Sequence, residues 1–230
     1  LFIDEAHRLN RQIEEVLYPA LESRKLHLIV GKGTGARTFS IDLPPFTLVA
    51  ATTRANLLSG PLRSRFGASF KLDYYKVADI ETILKRSANL LGVKLDNEAV
   101  ASIAKASRFT PRVANRLLKR VRDYAEVNNL KEIDAKTAKA TLEMLEIDEL
   151  GLEPTDRDLL KAIIDKFHGG PVGIQTLAAA MNDDRGIIED VYEPYLMSIG
   201  LLNRTPSGRI ATPEAYKHLG YKFPEEGALV

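Results

Sequence analysis

Cysteine is absent from the 230-residue chain. That removes disulfides and thiolate metal sites and suits a reducing, cytoplasmic setting. Histidine is scarce too: His7, His27, His168 and His218 are scattered and form no HExxH pair, so a histidine metal centre is not expected. No apolar run approaches the roughly 20 residues that cross a bilayer. No signal peptide opens the chain, and no internal repeat or low-complexity tract interrupts it. The net charge is only +1, which excludes a uniformly polybasic nucleic-acid binder; any such contact must come from local patches. What remains is ordinary for a folded protein, with 45% apolar and 27% charged residues. That is enough to build one to three compact units. The chain opens at Leu1 inside an apolar run rather than at Met, which reads as a fragment beginning in mid-element.

Residues 1–72 read as an α/β unit. A short buried strand, Leu1-Phe2-Ile3, is followed by a helix from Arg11 to about Ser23, capped by Asn10, with Ile13, Val16, Leu17 and Leu21 on one face. Leu26–Val30 and Thr38–Leu43 flank three glycines and predict a β-hairpin. Thr47–Ala51 reads as a buried strand, Pro61 opens a short helix over Leu62–Phe66, and Ala68–Leu72 returns to strand. Residues 73–150 read as an all-helical bundle, with Asp96 and Asp134 as caps and Thr110-Pro111 as a helix start. Residues 151–223 read as three helices and a hairpin, the order of a winged helix. Thr155 caps the first helix, Asp184 starts the third, and Thr205-Pro206-Ser207-Gly208 makes the turn. Residues 224–230 read as a tail.

Four segments carry chemistry. Leu1-Phe2-Ile3-Asp4-Glu5 is an apolar strand ending in two acids, the Walker B pattern. Asp4 would hold Mg²⁺, a hard cation that wants oxygen ligands, and Glu5 would polarise an attacking water. The plainer alternative is a strand ending in solvated acids. Asp4-Glu5-Ala6-His7 also spells a DEAH box, but the later arginine-rich motif of that helicase class is missing. Thr47–Thr53 is a strand ending in hydroxyls, and Thr53 resembles the sensor 1 element of AAA+ ATPases; alone it would be a strand-end cap. In Pro61-Leu62-Arg63-Ser64-Arg65, two arginines at i, i+2 cannot share a helix face, and Arg65 matches the arginine-finger position of that class. A finger of this kind is worth about 10³–10⁵ in rate. Alone, Arg65 would be a solvated charge. Arg112, at a helix start, resembles sensor 2, which reaches nucleotide phosphates. The seven basic residues from Lys105 to Arg122, with no acid among them, read as a solvated helix face or a subunit contact.

Order and spacing of the four make coincidence a poor explanation, and longer strings narrow the resemblance. Asp4-Glu5-Ala6-His7-Arg8-Leu9, Glu15-Val16-Leu17-Tyr18-Pro19-Ala20, Ile41–Thr47, Ala51-Thr52-Thr53-Arg54-Ala55, Thr110–Arg116, Asp165–Gly173 and Glu193-Pro194-Tyr195-Leu196 are similar to the RuvB family of Holliday-junction branch-migration ATPases. The match runs from Leu1 to about Phe223. The resemblance implies a hexameric ring that uses ATP and Mg²⁺ to pump duplex DNA through a RuvA-bound four-way junction, alongside RuvC. It also implies that the hairpin, through Leu28, Ile29 and Val30, docks RuvA. Two departures stand out. The family's GxxxxGK[ST] loop does not occur in these 230 residues, and Gly31-Lys32-Gly33-Thr34-Gly35 fails the pattern on both sides of its lysine. The chain alone is therefore expected to be inactive. Ser207 also stands where a basic residue is expected. Arg204 and Arg209, at either shoulder of the wing turn, remain the expected phosphate contacts, in a segment whose local charge is +3. The competing readings are a clamp-loader or initiator-like AAA+ protein and a non-catalytic winged-helix regulator.

Overall fold

The computed structural model describes residues 1–30 and 37–224; of Ile29, Val30 and Arg37 only the backbone is described. The Gly31–Gly35 segment lies outside the described residues. The chain divides into two compact units, Leu1–Leu72 and Asp73–Val230.

In the first unit, strand β1 (Phe2–Ile3) pairs in parallel with β4 (Val49–Ala50), and β2 (Lys25–Val30) pairs antiparallel with β3 (Arg37–Asp42). Helix α1 (Arg11–Ser23) lies between β1 and β2 in the chain, and a single turn, α2 (Gly60–Arg63), follows β4. Asn10 caps α1 by accepting from the Ile13 amide at 2.9 Å, which satisfies one of the orphan donors of the first turn. Three expectations need correction. Leu1, Phe2 and, on the strand expected to be buried over Thr47–Ala51, Val49 are 53–63% exposed, because the described residues give β1 and β4 only each other as neighbours, and a parallel strand is buried only when both faces are covered. On α1 the buried positions are Glu14 and Ala20, while Ile13 and Val16 are exposed. Tyr18 donates to Glu14 within the helix and lies 3.2 Å from Ser59 Oγ. No strand forms over Ala68–Leu72; Phe70 and Leu72 stand exposed, with no partner strand among the described residues.

The second unit holds two cores. Helices α3 (Val77–Leu90), α4 (Asn97–Lys105), α5 (Pro111–Val127) and α6 (Ala135–Met144) enclose Ile80, Leu84, Ile103, Leu117, Leu118 and Val121, all at most 1% exposed. Asp96 and Asp134 cap α4 and α6 by accepting from the amides three residues on. The other core gathers Leu159, Leu160, Ile163, Leu177, Ile188 and Leu196. They come from α7 (Pro154–Lys161) and its π-helical continuation Ala162–Lys166, and from α8 (Ile174–Met181). The rest lie on a third helix built of α9 (Arg185–Ile187), a π-turn over Ile188–Tyr192, and α10 (Glu193–Ser198). The hairpin β5 (Leu202–Thr205) and β6 (Gly208–Ala211) follows, then α11 (Pro213–Leu219). Three helices and a hairpin make a winged helix after a helical lid. The cap of α7 is Glu153, not Thr155: Pro154 takes the first helical position, where a missing N–H costs nothing, and Asp156 accepts from the Glu153 amide at 2.8 Å. The Gly169-Gly170-Pro171 break has a packing role as well. Val172 exchanges both backbone bonds with Arg209 (3.0 and 2.9 Å), and a Cβ on Gly170 or Gly208 would strike the facing backbone. Among the described residues no helix is long and apolar enough to cross a membrane.

Candidate functional site

The parallel register Phe2↔Val49, Ile3↔Ala50 brings two strand ends side by side. Beyond it the ladder continues as Ala51 N–H to Ile3 O and Ala6 N–H to Ala51 O, both 2.9 Å. The Asp4-Glu5 turn therefore stands beside Ala51, where the second strand ends. Asp4 is exposed, and its Oδ1 accepts from the Glu5 amide at 3.0 Å. Glu5 has φ 50°, a left-handed backbone rarely taken by a side-chain-bearing residue, which turns the chain sharply off the strand into Ala6–Arg8. Its Oε2 is buried without a hydrogen-bond partner, 3.3 Å from His7 Nδ1. His7 in turn sits 2.9 Å from Thr52 Oγ1, which also accepts from the Arg54 amide. Thr53 is exposed at the strand end. His7 and Thr52 are thus part of the constellation, although the sequence assigns neither a role. Their signal in the sequence is their place inside the strings Asp4–Leu9 and Ala51–Ala55 that carry the resemblance. Among the described residues no group of three or more carboxylates and imidazoles converges as a metal cage. A single exposed carboxylate fits Mg²⁺, which keeps several waters and takes phosphate oxygens rather than an all-protein shell.

Arg65 follows α2 in the same unit. Its Nη1 donates to Pro61 O at 2.7 Å and its Nη2 to Glu22 Oε1 at 2.5 Å, and its Cζ lies 4.4 Å from the centre of the Tyr18 ring. Arg112 is exposed on the first turn of α5, in the second unit, and among the described residues no partner holds it. Much of the basic run around it is committed to structure. Arg108 binds the buried Asp156 and donates to Gly151 O at 2.9 Å, and Arg116 pairs with Glu153 at 2.8 Å. Burial pushes the Asp156 carboxyl above its ordinary range, with Arg108 opposing.

The hairpin shows an apolar face. In the register Leu28↔Phe39 and Leu26↔Ile41, Leu28, Phe39 and Ile41 are 39–52% exposed. Phe39 and Ile41 extend the expected docking set. The side chains of Ile29 and Val30 lie outside the described residues.

The wing corrects one expectation. Arg209 is 5% exposed; its Nε donates to Glu193 Oε1 at 2.6 Å and its Nη2 to Glu189 Oε1 at 3.1 Å. Glu193 is itself 1% exposed. Alternation along β6 turns Arg209 inward, onto the acids of the third helix, so its guanidinium is spent on the fold and is closed to phosphate. Arg204 is half exposed and touches the same acids loosely, at 3.3 and 3.9 Å. Burial opposes the charge on Glu189, but Arg185 and Arg209 outweigh it and hold the carboxyl below its ordinary range.

The comparisons with known proteins agree with this fold over residues 1–220. Family models match in order: the Holliday junction DNA helicase RuvB P-loop domain over residues 1–72, the RuvB AAA lid domain over 75–148, and the RuvB C-terminal winged helix domain over 149–220. Among solved structures, the Thermotoga maritima RuvB Holliday junction branch migration motor is 49% identical with a TM-score of 0.82, covering 97% of this chain and 70% of that one. Two point mutants of Thermotoga maritima RuvB, each 48% identical, give TM-scores of 0.83 and 0.84; each covers 97% of this chain, and 70% and 71% of their own. A partial AAA+ core, a helical lid and a winged helix, matched in that order and at this identity, place the chain in the RuvB family.

Proposed function

We propose that this chain belongs to an ATP-hydrolysing ring motor that drives branch migration at four-way junctions in recombination and repair, with RuvA and RuvC as partners. The observation that supports this reading is the parallel pairing of β1 with β4, the strands that end in Asp4-Glu5 and in Ala51-Thr52-Thr53. In this reading the division of labour runs 1–72 for the ATPase core, 73–150 for the lid and 151–223 for DNA, with a tail over 224–230. Asp4 would hold Mg²⁺, and the ion would offset the negative charge of the phosphates. Glu5 orients and polarises the attacking water. Thr53, whose side chain is exposed while the Thr52 hydroxyl is engaged by His7, bonds the water or the γ-phosphate. Arg112 takes the sensor 2 role toward the phosphates, and Arg65 acts as a finger from a neighbouring subunit of a homo-hexamer, where a cation stabilises transition-state charge. Arg204 contacts duplex phosphate.

The 230 residues contain no GxxxxGK[ST] loop, so by themselves they lack a backbone cradle for the phosphates. Expressed alone they should show no ATP turnover. The full-length protein should hydrolyse ATP, and Glu5→Gln should slow hydrolysis at least a hundredfold while ATP stays bound, as read by filter retention of labelled nucleotide. Unchanged turnover in the Glu5→Gln protein would remove Glu5 from the chemistry and the reading with it.

A further inference from the structure

Helix α1 carries Glu14, Tyr18 and Glu22 at intervals of four, a spacing that stacks side chains on one helix face. Tyr18 and Glu22 meet the segment that ends in Arg65, and Glu14 holds Tyr18. Tyr18 donates to Glu14 Oε2 at 2.9 Å and lies 3.2 Å from Ser59 Oγ, and Ser59 Oγ accepts from the Leu62 amide at 3.2 Å. Glu14 is 7% exposed, so the ring of Tyr18 is fixed from behind. On that ring rests the Arg65 guanidinium, with Glu22 at one terminal nitrogen and Pro61 O at the other. Its Nε is buried without a partner, although the side chain as a whole is 24% exposed. The group is therefore held on one side and open on the other.

We propose that Glu22, backed by Tyr18, is a positioning residue for Arg65: it sets the direction in which the guanidinium leaves its own subunit. The inference rests on the reading of Arg65 as a finger acting across a subunit boundary. Glu22 is 60% exposed, and an ion pair with one member so solvated contributes little to stability. Its consequence is orientation. A long arginine side chain free in water gives up rotamer freedom each time it engages a partner, whereas one already held gives up less. Two of the five N–H groups are used by Glu22 and Pro61, which leaves a hydrogen on each terminal nitrogen for phosphate oxygens.

The test uses mixed rings of full-length subunits. One subunit carries Glu5→Gln, so it donates a finger but hydrolyses nothing. The other carries Arg65→Ala, so it keeps its site but has no finger. Turnover then arises only where the first meets the second. Adding Glu22→Gln to the finger donor is expected to lower kcat about tenfold with KM for ATP unchanged, since a misdirected group loses rate rather than binding. Added to the site donor, it leaves the rate where it was, because that subunit has no finger to position. Equal losses in both placements would make Glu22 a general structural residue and overturn the inference. So would a rise in kcat, which would make Glu22 a restraint on the finger. Mixed rings that are verified by mass yet inactive before Glu22 is touched overturn the finger reading and this inference together. Active rings indifferent to Glu22→Gln overturn this inference alone.

Discussion

Arg204 and Arg209 flank the same tight turn, yet they face different surroundings. One reaches solvent; the other lies against Glu193 with 5% of its surface exposed. Removing Arg209 leaves the buried Glu193 carboxylate with only Arg204, 3.9 Å away, so Arg209→Ala should cost about 3 kcal/mol in denaturant unfolding of the winged helix. Arg204→Ala should leave stability within about 0.5 kcal/mol. It should weaken duplex binding equally on unrelated sequences and flatten the salt dependence by about 0.9 in log–log slope for each phosphate no longer neutralised. Weaker binding on one sequence alone would show that Arg204 reads a base instead. Glu189 adds a pH dependence. Its folded pKa lies below its ordinary value, so its stabilisation is complete above the unfolded pKa and is lost as pH falls through the folded one. Acid, not alkali, should loosen the wing, and Glu189→Gln should remove that part of the acid response. His7 makes a related point. As a lone imidazole in the sequence it reads as a surface or half-buried residue; it is half-buried, and the fold sets its ring against Thr52 and beside Glu5.

At the scale of elements, the hairpin of β2 and β3 is the clearest unpartnered piece among the described residues. A two-stranded sheet cannot bury both faces by itself, and Leu28, Phe39 and Ile41 remain 39–52% exposed. Scattered apolar residues at a surface need no explanation, but three gathered on one hairpin do. If this face takes RuvA, Leu28→Glu or Phe39→Glu should weaken RuvA binding at least tenfold by titration calorimetry. Unchanged affinity in both variants would move the docking surface elsewhere. The hairpin itself is legible in the sequence, from two β-rich runs around glycines. The face it presents is not, because alternation assigns Leu28 and Phe39 to one side only once the register is known.

At the scale of the molecule, the lid and the winged helix have separate cores but share one compact unit. Arg108 ties them together. Its guanidinium binds Asp156 and Gly151 O and lies 5.1 Å from the centre of the Tyr195 ring, and the Tyr195 hydroxyl donates to Leu150 O at 2.6 Å. Burial pushes the Tyr195 phenol up to about 12, so it stays a donor throughout the working pH range. Arg108 and Phe109 both adopt left-handed backbone, a local cost that the surrounding contacts hold in place. Arg108→Ala should strand Asp156 without its counter-charge, cost about 3 kcal/mol, and split one thermal transition of residues 73–230 into two. A single transition at the wild-type temperature would show that the two cores are joined by other means.

The sequence by itself determined the order of the three parts, the helix starts at Asn10, Asp96, Asp134 and Asp184, the acidic strand end, and the family. Each rests on short-range chemistry: a side-chain oxygen near an orphan amide, an apolar period, a motif contiguous in the chain. Tertiary structure alone decided what each charged group faces. In the sequence Arg65 is a charge beside a short helix; in the fold it lies on Tyr18 against Glu22, 43 residues away along the chain. Arg209 stands at the shoulder of a basic turn, and in the fold an acidic helix holds it through Glu193, 16 residues upstream. Charge along a sequence is one-dimensional. Whether it meets water, a phosphate or a carboxylate depends on which elements pack together, and that is set by the burial of apolar cores to which the charges contribute little.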